Sequence, residues 1–171
     1  IIIACPSSGA DAVLMLREAH RLAREEQRVV VFVEPIALYP MRDLLEPGDG
    51  AWMTFYPDPD QRIGLQDIGV HGDGSDLAIL TYGNGHYLSR QAQVDLAARG
   101  VQSRVIDMRW IAPLAQDAII AAIGARPVLI VDECRRTGGQ AEALMALLQE
   151  RGIDGYARLT AQDSFIAPGP A

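Results

Sequence analysis

The sequence predicts an α/β fold: an open, mainly parallel sheet with helices on both faces, preceded by a partial βαβ unit. Two observations carry this. From Asp76 onward, short apolar runs alternate regularly with amphipathic stretches of helical period. The runs themselves, such as "VVVFV" and "PVLIVDE", lack a polar face, as parallel strands covered on both sides do. A 49% hydrophobic and 22% charged composition is ordinary for a globular chain of 171 residues, long enough for one solid core.

Taken in order, residues 1–45 read as strand ("IIIA"), helix, strand ("VVVFVE"). Ala12, Met15, Leu16, Ala19 and Leu22 form one apolar stripe on the helix. Such a unit cannot bury both faces alone. Residues 46–75, rich in Gly, Pro and Asp, predict a linker with one short hairpin. Residues 76–171 then give strands "LAILTY", "QSRVIDM", "PVLIVDE" and "GYARLT", with helices near 84–99, 114–124 and 139–151. Ala141, Leu144, Met145 and Leu148 make the core stripe of the last helix, and Gly138–Gly139 a tight turn before it. The Pro-rich "SFIAPGPA" predicts no helix. The first residue is not Met, so the sequence reads as part of a longer protein.

Composition excludes several functions. The net charge of −7 argues against nucleic acid, whose affinity rests on clustered cations. All 15 basic residues are Arg, which leaves no lysine for a Schiff base or a P-loop. Cys5 and Cys134 stand alone, without a zinc or redox companion, and point to a reducing cytoplasm. No apolar run reaches the roughly 18 residues a membrane span needs, so no membrane partner is expected.

The turn Gly83-Asn84-Gly85-His86-Tyr87-Leu88 approximates the dinucleotide fingerprint, with Asp107 as the distant acid. Leu88 replaces its third glycine and forbids the same helix–strand approach, so Asp107 is expected to brace the loop after its strand. The triplets Gly48–Gly50 and Gly72–Gly74 resemble half of a magnesium–diphosphate motif, but the single Asn, Asn84, lies at the wrong distance. Both are expected to be turns. Ser7 and Ser8 have no neighbouring histidine in sequence, and His20, His71 and His86 are scattered. His86 is expected to be solvated or capping. "DECRRTGG" (132–139) offers two acids, two arginines and a glycine pair at a strand's end. The expectation there is an interface built from Arg109, Asp132, Glu133, Arg135 and Arg136, the last four forming ion pairs. No catalytic, cofactor-binding or metal residue is assigned.

"VVVFVEPIALYP", "LAILTYGNG", "SRVIDMRWIAPL" and "VLIVDECRRTGGQAEAL" together resemble the beta subunit of thiamine-dependent 2-oxo acid dehydrogenases, in order and over nearly the whole chain. The family pattern has an F-x-EP-x-x-LY strand end, a TYG strand, an IDLRTL-x-PL loop and a DE-x-x-RTGG-x-x-AE turn. The resemblance implies that residues 1–45 close a pyrimidine-binding domain and that residues 76–171 are a transketolase C-terminal-like domain. It implies a whole enzyme that uses thiamine diphosphate and Mg²⁺, pairs with an alpha part and passes its acyl group to a lipoyl acyltransferase. The family's activating Glu and proton-handling His precede Ile1, and its diphosphate ligands lie in the alpha part, so this segment alone is expected to be inactive and cofactor-free. Pairing of beta subunits implies a homodimer. Departures are Trp110 in place of Thr or Ser, Arg28 where a potassium-binding Asn would stand after Glu25-Glu26-Gln27, and the lack of a final helix. No potassium is expected. Two alternatives stay open: a stand-alone nucleotide- or anion-binding regulatory domain, and the C-terminal part of a transketolase or deoxyxylulose-phosphate synthase.

Overall fold

The computed structural model describes residues 1–164, so the Pro-rich ending from Phe165 onward lies outside the described residues. Among the described residues, eight strands form two sheets, accompanied by four α-helices. The larger sheet contains β3 (Gly69–His71), β4 (Leu77–Thr81), β5 (Ser103–Asp107), β7 (Val128–Arg135) and β8 (Tyr156–Ala161), in the order β3-β5-β4-β7-β8. All its pairings are parallel except β3 with β5.

Alternation along each strand sends one set of residues to each face. Ala78, Leu80, Ile106, Met108, Val128 and Ile130 form one core with α3 (Gln116–Ile123) and α4 (Gln140–Glu150). Ile79, Thr81, Val105 and Asp107 occupy the other face, on the side of α2 (Asn84–Ala98). Helices thus cover both faces, as the periodicity predicts.

The smaller sheet departs from the sequence reading. It has the order β2-β1-β6, with β1 (Ile2–Ala4) parallel to β2 (Val30–Phe32) and antiparallel to β6 (Trp110–Ala112). The third strand therefore comes from the "RWIAPL" segment, whose residues carry the pattern of a loop. Trp110 explains the change: its indole is fully buried, in a second core with Ile2, Ala4, Met15 and Leu22. "VVVFV" has the composition of a strand covered on both faces, yet β2 is a free edge, as a βαβ unit that cannot cover itself implies, with Val29, Val31 and Val33 exposed by 63%, 45% and 43%.

Helix α1 (Gly9–Glu25) is capped by Ser8, whose Oγ accepts the Asp11 N–H. Its buried side is Asp11, Met15, Glu18, Ala19 and Leu22, whereas Leu16 points to solvent. Arg21 neutralises Glu18 from one turn further on, at 2.6 Å. In the segment 46–75 no hairpin forms, because β3 pairs with β5 instead of folding back locally. Asp49 holds the preceding turn, with its carboxylate accepting the N–H groups of Leu44, Leu45, Glu46 and Ala51. Four such donors hold its carboxyl well below the usual carboxylate range. Asp43 similarly accepts from Gly48 and Gly50. The first Gly-Asp-Gly triplet is thus a turn, and N–H groups occupy the oxygens a cation would need.

Candidate functional site

Ligands of open parallel sheets bind where successive strands leave in opposite directions. Here the chain moves from β4 to β5 on one side, then returns to β7 on the other. The crevice lies at the carboxyl ends of β4 and β7, beside the amino termini of α2 and α4. Both termini are already occupied.

At α2, Gly83 takes φ +54° and its N–H donates to Ser7 Oγ at 2.9 Å. A Cβ on Gly83 would lie 3.2 Å from Cys5 Sγ and 3.3 Å from Pro35 Cγ. The loop after β1 and the end of β2 therefore sit where a pyrophosphate would. A Cβ on Gly85 would strike the Thr81 hydroxyl, so this glycine serves close helix–strand packing. At α4, the Asp132 carboxylate fills the anion position. Its Oδ2 accepts the Ala141 N–H at 2.7 Å, and its Oδ1 accepts Tyr82 Oη at 2.7 Å and the Cys134 N–H at 2.9 Å. Burial and the hydrogen bond to Asp132 drive the Tyr82 phenol pKa far upward.

The structure corrects the ion-pair expectation here. Arg135, Arg136 and Glu133 are exposed, and among the described residues neither arginine pairs with Asp132 or Glu133. Asp132 is instead 3% exposed and committed to N–H and O–H donors. Thr137 closes the turn by donating through N and Oγ1 to Asp163, at 2.9 and 2.6 Å.

Beside this plugged crevice, at the carboxyl ends of β1 and β2, lies a cleft of about 580 Å³. Pro6, Gly9, Pro35, Tyr39 and Met53 form much of its wall. Its polar groups are paired internally: Thr54 Oγ1 accepts the Ala10 N–H, and the Tyr39 hydroxyl donates to Glu34. The surrounding surface is apolar, with Ile36 75%, Met53 63%, Phe55 97% and Tyr56 77% exposed. An apolar patch of this kind marks an association surface more than a small-molecule site.

A third cluster is one that sequence reading did not assemble. His86 is 2% exposed, not solvated, and its ring packs 4.6 Å from that of His71 and 5.3 Å from that of Trp52. Asp107 is fully buried beneath it, with Oδ2 at 3.6 Å from His86 Nδ1. As expected, Asp107 braces the next loop, accepting the Arg109 N–H through Oδ1 at 3.3 Å. Arg109 then reaches Asp11 of α1 at 2.9 Å, so within this chain it joins the two sheets. Burial pushes Asp107 up to about 7, helped by the Asp11 charge. Burial also lowers His71 to about 4 and His86 to about 3, with Arg90 and Arg109 acting in the same direction on both. Among the described residues no group of three or more His, Cys, Asp or Glu is placed to hold a metal ion.

Residues 66–171 match the family described as transketolase, C-terminal domain. The chain is 29% identical to the pyruvate dehydrogenase E1 component subunit beta of Bacillus subtilis (strain 168), over 90% of this chain and 43% of that protein. It is 31% identical to the chloroplastic pyruvate dehydrogenase E1 component subunit beta-2 of Arabidopsis thaliana, over 77% of this chain and 30% of that one. A 1-deoxy-D-xylulose-5-phosphate synthase 1 from Geobacter metallireducens is 34% identical over 64% of this chain and 19% of its own. The chain spans less than half the length of each of these relatives. Among solved structures, a split-gene transketolase described as an inactive beta4 tetramer superposes with a TM-score of 0.71 at 18% identity, covering 95% of this chain and 48% of that one.

Proposed function

The chain belongs to the transketolase C-terminal domain family, and we propose that it is the carboxyl-terminal region of the decarboxylating component of a cytoplasmic 2-oxo acid dehydrogenase. Its role there is association: with a second copy, with the alpha part of the enzyme and with the lipoyl acyltransferase. One observation carries this reading. Both helix amino termini at the crevice are filled by the chain's own Ser7 and Asp132, while the surface beside them is apolar and open.

Thiamine diphosphate, which the family implies, does not fit either helix amino terminus of the crevice. A carboxylate already sits on the amino terminus of α4, where it would repel a diphosphate, and the α2 turn has no room for one. No step is therefore assigned to a residue of this chain. The same two features weigh against a stand-alone nucleotide- or anion-binding domain.

The deoxyxylulose-phosphate synthase relative keeps a second reading in view. Coverage favours the dehydrogenase, since the Bacillus beta subunit aligns with 90% of the chain and the synthase with 64%. Among the described residues no helix is long and apolar enough to cross a membrane.

Light scattering combined with calorimetry tests the proposal on residues 1–171. The expected result is a dimer or larger assembly of the 18.5 kDa chain. The same experiments should show no strong binding of NAD, AMP or thiamine diphosphate, and no turnover of 2-oxo acids with Mg²⁺ added. A monomer that binds a nucleotide tightly would overturn it.

A further inference from the structure

At the seam between the two sheets, buried polar atoms lack partners on both sides of one contact. Among the described residues, Asp107 Oδ2 accepts no hydrogen bond, and neither ring nitrogen of His86 has a partner. The two groups face each other across 3.6 Å, Oδ2 to Nδ1. Buried acceptors left unpaired are strongly disfavoured. A single proton satisfies both, bound to Oδ2 and directed at Nδ1, once the side chains close to hydrogen-bond distance.

The surrounding charges decide which atom holds it. From α1, Asp11 faces the cluster and is committed to Arg109 at 2.9 Å. From β3 comes His71, whose Nδ1 lies 2.8 Å from the Arg90 guanidinium of α2. A guanidinium has only donors, so His71 Nδ1 is an acceptor and that ring is neutral. Arg90 and Arg109 oppose a further positive charge on either imidazole, while at Asp107 burial and the Asp11 charge oppose the anion and outweigh the Ser7 hydroxyl and Arg109, which favour it. On balance the neutral acid beside the neutral imidazole is the favoured arrangement, because burial penalises a charge on either group.

The geometry points to Asp107 and His86 as a buried proton-binding site that seats the amino-terminal unit on the larger sheet. The connection runs through Arg109. Its N–H rests on Asp107, its carbonyl accepts the Cys5 N–H at 2.8 Å, and its guanidinium holds Asp11. The state of one carboxyl is thereby felt by both β1 and α1.

The pH dependence follows by linkage. His71 and His86 have folded values of about 4 and 3, below the ordinary 6.5, so their contribution is present above 6.5 and lost as pH falls through that window. Asp107 acts oppositely: its folded value of about 7 exceeds the ordinary 3.8, so its contribution is full below 3.8 and lost as pH rises towards 7. Between pH ~4.5 and 6 the unfolded chain gains about two protons at the histidines while the folded chain keeps one at Asp107, leaving a difference of about one.

Asp107→Asn preserves the shape and supplies an N–H donor in place of the acid proton, but does not titrate. Urea unfolding of the full chain from pH ~4.5 to 6 reads the difference as a slope. As pH is lowered through this window, the folded-to-unfolded ratio of the Asn variant should fall about tenfold more per pH unit than that of the native chain. At pH ~8, where native Asp107 has lost its proton, the variant should be the more stable of the two. Equal slopes, or a variant less stable at that pH, would overturn the assignment. Should the variant not fold, infrared spectra of the native chain with isotopically labelled aspartate decide. A protonated-carboxyl band at pH ~6 that disappears above pH ~7 supports the site, and its absence at both pH values refutes it.

Discussion

Arg109 holds an uncommon backbone conformation, φ +59°, while its side chain bridges to Asp11. A non-glycine residue there is strained and persists because its surroundings fix it. Arg109→Ala should lose about 2–3 kcal/mol, because Asp11 is left nearly buried without its cation. Arg109→Gly loses the same ion pair but relieves the backbone, recovering up to about 1 kcal/mol. Chemical denaturation should rank native above Gly above Ala. At Gly74 a Cβ would run into the backbone of Gln102 and Ser103, which cannot swing aside. Gly74→Ala is expected to cost roughly 1–3 kcal/mol in the same assay. Sequence reading singled out Arg109, Asp107 and Asp132, yet named the partner correctly only for Asp107, which braces its own loop. Asp11 lies 98 residues from Arg109, and the donors to Asp132 are a phenol and two amides, which no charge pattern announces. The His71–His86 stack was illegible for the same reason: only the pairing of β3 with β5 brings those rings together.

Among the elements, the four parallel strands and the helices between them were legible, because continuous apolar runs and helical stripes report burial directly. β6 was not, being three residues whose only signal is a tryptophan in an otherwise loop-like segment. The unpaired edge of β2 was legible from the partial βαβ unit, which cannot cover itself, and not from "VVVFV", whose composition is the same whether or not a neighbour covers it. The turn at 44–51 owes its shape to Asp49 rather than to apolar packing. Asp49→Ala should therefore make this turn the first site of limited proteolysis while leaving global unfolding little changed. The Asp49 carboxyl lies below its ordinary 3.8 in the folded chain, so its contribution is present above that value and lost as pH falls through the folded value. In the native chain the turn should resist acid proteolysis at pH ~3.

For the molecule as a whole, the edge of β2 and the apolar surface from Ile36 to Tyr56 are the features most in need of a neighbour. Val31→Lys places a charge on that edge and should shift light scattering towards smaller species if copies meet there. An unchanged mass would move the contact to the 36–56 surface. The pairing of Ile3 with Ala112 has a different consequence, in the order of events during synthesis. β1 and β2 leave the ribosome before the strand that completes their sheet, which follows β1 by some hundred residues. Distant pairings of this kind form slowly, because the intervening chain must first be gathered. Until then Met15 and Leu22 of α1 lack the Trp110 indole they pack with, and the nascent β1–α1–β2 unit is a natural client for chaperones. Its maturation is timed by Trp110: pulse-labelled hydrogen exchange should find the amides of β1 protected only after those of β4, β5 and β7.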